Sequence, residues 1–594
     1  MNLFLSRFIN CYQWINRRIP MIAIKKRSRL AFFFLLLIFI TGILLGALTG
    51  STADRRFEDY TEQFAREQLS QNTLNLHYTL ADPSASGIRD YQVSLGEVTT
   101  NPDAFFVTLE NEREKLLSFR YESLSDDNQL TYDILKLYFD TELSDDNQYY
   151  LMEVLSPSLG IQAQLPLLLA EYTFRTKQDV QDYYCLLKNV PSYFDSIIAF
   201  ETEKSKRGYF MSDKTADRVI DQCRSFLSSS DNYMHTVFKE KIAQAAFFTD
   251  EEKASCIELH RKLMEQCVTP AYQSLITALT RLKGSGQNQN GLYYLGGGRA
   301  YYTYLIRSSC GIYDSIEELQ TRLGQQLNDD YQKIRTLISQ KPSLATALLS
   351  DSSAGDLSPE QILTSLQQNM QKDFPGTEPV SYEIKYVHEG LKEHLSPAFY
   401  LTPPIDTGSP NLIYLNPDAS LHGIELYTTL SHEGFPGHLY QTQYFMRENA
   451  SLIRHLLNMP GYVEGWATYI ESYAYEYGSS DPDLGRLLWL GRSMNLCIYS
   501  LLDIGIHYHG WTLEKVTDFL ADLGISDGNT CREIFQCIIE DPANYLKYYG
   551  GCLQFMDLRE QAAAMDDFHL VDFHRNILET GPCQFPVLEE QVLH

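Results

Sequence analysis

The chain has 594 residues, of which 44% are hydrophobic and 21% are charged. A chain of this length and composition can bury a large core, which excludes global disorder. Its formal net charge of −27 disfavours a nucleic acid as partner, because an acidic surface repels phosphates.

The N-terminal segment has the pattern of a membrane-inserted helix. Residues 1–53 contain seven Lys or Arg and no acid, and the basic cluster Lys25–Arg29 precedes the uncharged run Leu30–Leu48. A run of about 20 apolar residues can span a bilayer, and the basic flank predicts a cytoplasmic N-terminus. We expect a cytoplasmic segment over 1–29 and a transmembrane helix or signal anchor over 30–50. Cleavage of this segment would instead give a secreted protein.

The remainder, 54–594, is predicted to be a mainly helical extracytoplasmic domain. Apolar residues recur every three to four positions, which is typical of amphipathic helices, over Leu116–Leu143, Thr215–Phe226, Asp250–Leu282 and Ser315–Ile338. The Gly-rich stretch Gly284–Gly298 interrupts this pattern. It predicts a division into halves at 54–285 and 299–594, or a mobile edge of a cleft.

The segment His432–His438 has the sequence His-Glu-Gly-Phe-Pro-Gly-His and follows an apolar-periodic run. Zinc accepts imidazole and carboxylate ligands, and a glutamate beside them can take a proton from water. Six residues turn an ideal helix by about 600°, which would leave the two histidines roughly 120° apart. The motif therefore predicts that the helix deforms at Pro436 and Gly437, so that both imidazoles share one metal ion.

The same spacing occurs upstream, between His388 and His394. That segment lacks a Pro-Gly pair and has charged neighbours, so we interpret it as a solvated surface segment. The cysteines offer no alternative zinc site, because none of the eleven has Cys-x-x-Cys spacing.

A third ligand is predicted in the segment Pro460–Gly478, which begins at a Pro-Gly pair and continues with helical periodicity. A zinc site with two histidines often takes a glutamate from a following helix. Glu464 lies 32 residues after His432 and fits that role. Glu471, two turns further on, is a candidate for orienting a ligand from behind.

These segments resemble the bacterial domain-of-unknown-function 885 family, whose members carry His-Glu-Ala-x-Pro-Gly-His-His and Glu-Gly-Trp-Ala. The resemblance extends from about residue 60 to the C-terminus and is most specific between 430 and 560. That family is considered similar to the helical gluzincin peptidases, such as angiotensin-converting enzyme and the thermostable carboxypeptidases. It implies a large helical zincin-like metallopeptidase fold with a deep central cleft.

Carried over residue by residue, the resemblance implies that His432, His438 and Glu464 bind zinc and that Glu433 is the general base. The chain departs from the family at Leu439, where a second histidine is common, and at Asn544, where glutamine is expected. These departures leave the metal ligands intact and put the substrate preference in doubt.

Peptide hydrolysis also needs hydrogen-bond donors for the developing oxyanion. His507 and Tyr548 are our candidates. His507 could equally be a structural histidine at a helix C-terminus, and Tyr548 could be a structural residue, since the chain has 40 tyrosines. Arg559 could bind a substrate carboxylate through its planar guanidinium, or it could be a packed ion pair.

The sequence thus predicts a zinc-dependent hydrolase, membrane-anchored or secreted, that cleaves short peptides with Glu433 as general base. Two alternatives stay open. One is an extracellular binding or sensor domain without catalysis, and the other is a zinc hydrolase of a non-peptide amide or ester.

Overall fold

The computed structural model describes residues 52–145, 148–158, 160–228, 232–348, 357–388, 392, 396–448 and 450–593. The predicted cytoplasmic and transmembrane segments at 1–29 and 30–50 lie outside this range. Within the range, every helix is too short or too polar to cross a bilayer.

The chain divides into two compact units. The smaller unit includes, among the described residues, 52–59 and Phe119–Gln129, and in it Asp54 accepts a hydrogen bond of 2.8 Å from the backbone of Ser125. The larger unit lies within Tyr60–Ser118 and Leu130–His594 and contains every residue of the predicted site. The proposed division at Gly284–Gly298 stays a prediction.

The first part of the chain is helical. Its helices, in chain order, are α1 (52–70), α2 (Thr73–Thr79), α3 (Asp103–Leu117), α4 (Asp126–Glu142), α5 (Ile161–Glu171), α6 (Lys177–Arg207), α7 (Asp213–Ser228), α8 (Tyr233–Gln244), α9 (Asp250–Leu263), α10 (Thr269–Leu282), α11 (Gly298–Ser308), α12 (Ile316–Gln340), α13 (Ser343–Ala347) and α14 (Pro359–Asn369). A π-helical turn, Met264–Val268, joins α9 to α10.

Three short strands follow, and then further helices. The strands are β1 (Tyr382–Tyr386), β2 (Ala398–Leu401) and β3 (Asn411–Leu415). The later helices are α15 (Gly423–Glu433), α16 (His438–Phe445), α17 (Leu452–Leu456), α18 (Pro460–Gly478), α19 (Pro482–His507), α20 (Leu513–Asp522), α21 (Gly528–Glu540), α22 (Gly551–Ala563), α23 (Leu570–Thr580) and α24 (Phe585–Leu593). A second π-helical turn, Leu546–Gly550, precedes α22.

The mainly helical architecture is confirmed, whereas one predicted helix is wrong. Leu116–Leu143 is not continuous, because α3 ends at Leu117 and α4 begins at Asp126. The sequence carries the reason, since Ser125 before two acidic residues is a helix start signal and the acids favour the positive end of the helix dipole. The helix α6 has sequence signals at both ends, namely a capping box at Thr176 and a left-handed Gly208 at its C-terminus.

The strands form one small sheet in the order β1-β3-β2, with β1 parallel and β2 antiparallel to β3. Side chains alternate between the two faces of a strand. Leu412 and Tyr414 pack into the core formed by the N-terminal helices. Ile413 points to the opposite face, where it approaches Gly434 at the end of α15. The sheet therefore stands between the N-terminal helices and the predicted metal motif, with β2 at its edge.

Candidate metal centre

The predicted deformation of the motif is a complete break between two helices. The helix α15 ends at Glu433 and α16 begins at His438. Gly437 is required at this break, because a Cβ atom there would lie 1.9 Å from the carbonyl oxygen of His432. The indole of Trp466 donates a 2.9 Å hydrogen bond to the carbonyl of Pro436, which ties the break to α18.

The break brings the two histidines together. Their ring centroids are 4.7 Å apart and their planes are perpendicular. The Nε2 atoms of His432 and His438 lie 3.4 and 3.5 Å from Oε2 of Glu464. Within the described part of the chain, these three residues are the only group of His, Cys, Asp or Glu that could hold a metal ion, and their ligand atoms lie within 4.8 Å of one another.

The spacing of these ligand atoms fits zinc. Tetrahedral zinc with nitrogen and oxygen ligands at about 2.0–2.1 Å places neighbouring ligand atoms about 3.3 Å apart. The two distances from Glu464 are close to that value, and two imidazoles with one carboxylate are a common donor set of catalytic zinc sites. The three side chains are 12–26% exposed, so a small ligand can reach them.

The charges in the cluster favour the presence of a cation. Burial opposes the charged form of His432, but its hydrogen bonds to Glu464 and Glu471 outweigh burial and raise its pKa to about 10. Burial likewise opposes ionisation of Glu464, yet His438 and His432 hold the pKa of that carboxyl well below its usual range. The cluster therefore favours positive charge between its ligand atoms, which a metal cation supplies without protons.

The predicted supporting role of Glu471 agrees with its contacts. Its Oε1 lies 3.0 Å from Nδ1 of His432, and its Oε2 accepts a 3.1 Å hydrogen bond from Nε of Arg492. The Nδ1 atom of His438 is buried and has no hydrogen-bond partner among the described residues. The two histidines are thus supported unequally, with His432 fixed from behind and His438 oriented by the helix break.

Glu433, the predicted general base, is buried beside the cluster. Its Oε2 accepts a 2.8 Å hydrogen bond from the backbone N–H of Tyr400 in β2. The N–H of Tyr400 therefore points away from β3, at the free edge of the sheet. One carboxylate oxygen of Glu433 is held by this bond, which leaves the second oxygen for a water or a substrate.

Tyr548 lies beside His432, with 6.4 Å between the ring centroids. It belongs to the π-helical turn before α22, and such turns are frequent at functional sites. Burial and the nearby Glu464 and Glu433 raise the pKa of its phenol, so the hydroxyl keeps its proton. Among the described residues this hydroxyl has no hydrogen-bond partner, which leaves it available as a donor.

A pair of glycines allows α18 to approach the start of α22. A Cβ atom on Gly465 would lie 2.6 Å from the carbonyl carbon of Gly551, and one on Gly551 would lie 2.1 Å from the oxygen of Gly461. The glycine that follows Glu464 thus permits the close contact that sets this candidate ligand beside the turn carrying Tyr548.

The contacts of His507 contradict its predicted role as an oxyanion donor. The ring is fully buried, its Nδ1 accepts a 3.1 Å hydrogen bond from the N–H of Leu292, and its Nε2 donates a 2.9 Å bond to the carbonyl of Ile538. Both nitrogens are occupied by the backbone, so neither can reach a substrate. Of the two alternatives drawn from the sequence, the structural histidine is the one that fits.

Arg559 is not brought to the metal cluster. Its Nη1 donates a 2.9 Å hydrogen bond to the hydroxyl of Tyr473, and it lines a separate cavity of about 930 Å³. The three metal-binding candidates are absent from the lining of that cavity. This position does not support the predicted binding of a substrate carboxylate at the metal centre. Arg559 also forms no ion pair among the described residues, so the alternative prediction is not supported either.

The upstream motif does not form a second site in the described residues. His388 packs its ring against Tyr233 at 6.2 Å, and His394 lies outside the described residues. No role was predicted from the sequence for three residues that support the cluster: Tyr400, Arg492 and Gly465. The sequence shows that a glycine follows Glu464, but it does not show that this glycine packs against Gly551.

Comparison with known proteins gives a family and a fold. Residues 84–592 match the family described as "Bacterial protein of unknown function (DUF885)". None of the curated proteins matches the chain.

Two solved structures are similar. One is the crystal structure of the "putative lipoprotein" from Colwellia psychrerythraea, with a TM-score of 0.81 at 20% identity, covering 91% of this chain and 99% of that chain. The other is a "putative lipoprotein of unknown function" from Shewanella oneidensis, with a TM-score of 0.56 at 16% identity, covering 83% and 92% of the two chains. At these identities the likeness shows a shared fold.

Proposed function

We propose a function from the premise that this chain belongs to the bacterial DUF885 family: it is a zinc-dependent hydrolase that cleaves peptides. The observation that carries the proposal is the convergence of His432, His438 and Glu464 on one point next to Glu433. These are three protein ligands and a neighbouring carboxylate, the composition of a catalytic zinc site with one open position.

The three ligands would hold zinc, which when bound polarises a carbonyl and lowers the pKa of water to about 7. Glu433 accepts the proton of the attacking water with the oxygen that Tyr400 leaves free, and then delivers it to the leaving amine. Tyr548 donates its phenolic hydrogen to the oxygen that becomes negative in the transition state. This division of roles agrees with a helical zincin-like fold, which we propose for the chain together with a deep central cleft.

A peptide is favoured over another amide or ester because of the edge strand. Tyr400 directs its N–H towards Glu433, so the edge of β2 that has no neighbouring strand faces the metal cluster. An extended peptide can add to such an edge through backbone hydrogen bonds, which non-peptide substrates cannot reproduce. We propose that the substrate lies along β2 with its scissile bond over Glu433.

We also propose that the catalytic domain is outside the cytoplasm, at or near a membrane. The basic and apolar pattern of residues 25–48 supports this location, as does the description of both structural neighbours as putative lipoproteins. An anchored form and a secreted form both satisfy these observations.

The deciding experiment measures zinc content and cleavage of a mixed peptide library, with and without a chelator. About one zinc per chain and chelator-sensitive cleavage are expected for a three-ligand catalytic site. Zinc binding without cleavage of peptides, amides or esters would instead indicate a binding domain. Cleavage of esters or non-peptide amides alone would assign the same metal centre to another substrate class.

A further inference from the structure

We propose that a second cavity, on the face of the sheet opposite the metal centre, binds an organic carboxylate that carries an aromatic or aliphatic group. The cavity has a volume of about 330 Å³ and lies where the end of α5, the end of α8, β1 and the residues after β2 meet. Pockets that hold small molecules begin at about 300 Å³.

The cavity is positively charged in a strongly acidic protein. Arg175, Lys241 and Lys385 line it, and the only acid in its lining is Glu171. Glu171 is already engaged, because its Oε2 accepts a 2.6 Å hydrogen bond from the hydroxyl of Tyr414. The local excess of cations contrasts with the formal charge of −27 for the whole chain, so it favours an anionic ligand.

Two of the three cations have no carboxylate partner. Within the described part of the chain, Arg175 directs its guanidinium to the ring of His77 and forms no ion pair. Lys385 lies over the ring of Tyr414 at 6.0 Å and forms none either. Cations that line a cavity without counter-charges are available to an incoming anion.

The third cation is partly desolvated. Lys241 donates a hydrogen bond to the carbonyl of Ala170 and lies 3.9 Å from Glu171. Burial lowers the pKa of Lys241 to about 8, the attraction of Glu171 offsets this only in part, and repulsion by Lys385 adds to the lowering. A bound anion between Lys241 and Lys385 would relieve that repulsion.

The apolar residues of the cavity favour a ligand that carries an aromatic or aliphatic group. The cavity also has apolar lining residues, namely Phe174, Phe247, Pro403, Pro404 and Leu412. A planar guanidinium matches a planar carboxylate, and an aromatic or aliphatic group gains by burial against these walls. A doubly charged phosphate would lose more hydration here than a carboxylate does.

This cavity is separate from the metal centre. Its wall residue Leu412 is on the face of β3 that packs against the N-terminal helices, whereas Ile413 is on the face towards Gly434 and the metal motif. The lining includes no candidate metal ligand. The proposal is therefore independent of the hydrolase function and can be tested by binding alone.

The test uses calorimetric titration of the full-length protein, stripped of metal, with N-acetyl-phenylalanine. The neutral amide of the same compound and phenyl phosphate serve as comparisons. We expect the carboxylate to bind at least about tenfold more tightly than the amide, since charge-assisted hydrogen bonds are lost in the amide. Equal binding of acid and amide, no binding of the acid, or tighter binding of phenyl phosphate would overturn the assignment.

Substitutions of the lining cations test whether the carboxylate binds in this cavity. Lys385→Met and Arg175→Met should each weaken binding of the acid about tenfold, because each removes one charged partner. Lys385 is exposed on β1, so we expect Lys385→Met to fold. It therefore tests the site even if Arg175→Met fails to fold. Lys239→Met, which removes an exposed charge from the same helix as Lys241 without touching the cavity, is the matched control. An equal loss in the control would overturn the proposal.

Discussion

The Nδ1 atom of His432 lies 3.0 Å from Oε1 of Glu471, so the imidazole is held from behind while its Nε2 faces Glu464. The other oxygen of Glu471 is bonded to Arg492, and burial is outweighed by Arg492 and His432, which lower the pKa of this carboxyl. A carboxylate behind a histidine fixes the ring orientation and increases its basicity as a ligand.

Glu471→Gln should therefore weaken zinc binding about 10–100-fold, the usual effect of removing such a partner. In this variant the amide oxygen can accept a hydrogen bond from either His432 or Arg492. The amide nitrogen cannot accept the other bond, because it carries hydrogens of its own. Competition with a chromogenic chelator measures the affinity. Glu476→Gln changes an exposed glutamate on the same helix and should leave it unaltered. If both variants bind zinc like the parent protein, Glu471 does not support a metal ligand.

Glu433→Gln should reduce peptide turnover by about 10²–10⁴-fold while zinc content stays unchanged. Glutamine keeps the hydrogen bond from the N–H of Tyr400 through its carbonyl oxygen, but it cannot accept the proton of water. The comparison variant is Glu425→Gln, an exposed glutamate on the same helix. Undiminished turnover in Glu433→Gln would exclude the general-base role.

Tyr548→Phe should lower kcat by about 10²-fold, as expected for removal of one oxyanion donor, with KM and zinc affinity unchanged. The pKa of this phenol is raised by burial and by the nearby carboxylates, so Tyr548 stays protonated throughout the working pH range. Tyr545→Phe is the control, because that ring stacks on Tyr499 in the same turn region. A change in KM alone would indicate that Tyr548 binds substrate without stabilising the transition state.

The convergence of the two histidines could be predicted from local chemistry. A proline and a glycine lie between His432 and His438, and six residues on a regular helix would have kept the imidazoles apart. Glu464 was predicted as the third ligand because zinc sites with two histidines often take a glutamate from a following helix, and the turn signal at Pro460 indicated where that helix begins. Each of these inferences used residues within one helix or one turn.

The contacts that sequence alone did not reveal bridge distant segments. Tyr400 is 33 residues from Glu433, and its N–H is available only because β2 is the edge of a sheet of very short strands. His507, for which the sequence left two roles open, accepts a hydrogen bond from Leu292, 215 residues away. A buried histidine held by backbone groups and a catalytic histidine look alike until those partners are known.

Gly437→Ala should lower the free energy of unfolding by more than about 2 kcal/mol and abolish stoichiometric zinc binding. The added Cβ would lie 1.9 Å from the carbonyl oxygen of His432, so the backbone between the two histidines must move. Gly491→Ala is the matched control, because nothing lies within 4 Å of its Cβ position and alanine stabilises a helix by up to about 1 kcal/mol. Denaturant unfolding and metal analysis give both quantities. Full zinc occupancy in Gly437→Ala would show that the centre tolerates a different chain path.

Stability should fall in acid, with a defined contribution from His507. Burial lowers the pKa of His507 to about 4, against an ordinary value of about 6.5 in the unfolded chain. The titratable ring packed on it is Tyr302, whose hydroxyl is bonded to Asp503. Between these two pKa values the unfolded chain binds a proton that the folded protein does not. The stabilisation from neutral His507 is thus complete above about pH 6.5 and is lost as pH falls to about 4.

His507→Gln should therefore reduce the slope of unfolding free energy against pH by up to one proton, about 1.4 kcal/mol per pH unit, between pH 4 and pH 6.5. The difference from the parent protein isolates this group, because all other titrating groups are common to both. His509→Gln is the control, since that side chain is exposed and bonded to Gln320. Because both nitrogens of His507 are bonded to the backbone, the variant should also lose stability at pH 7 and retain the chemical step at the metal centre. An unchanged slope would mean that His507 is protonated alike in the folded and unfolded chains, in conflict with its burial between Leu292 and Ile538.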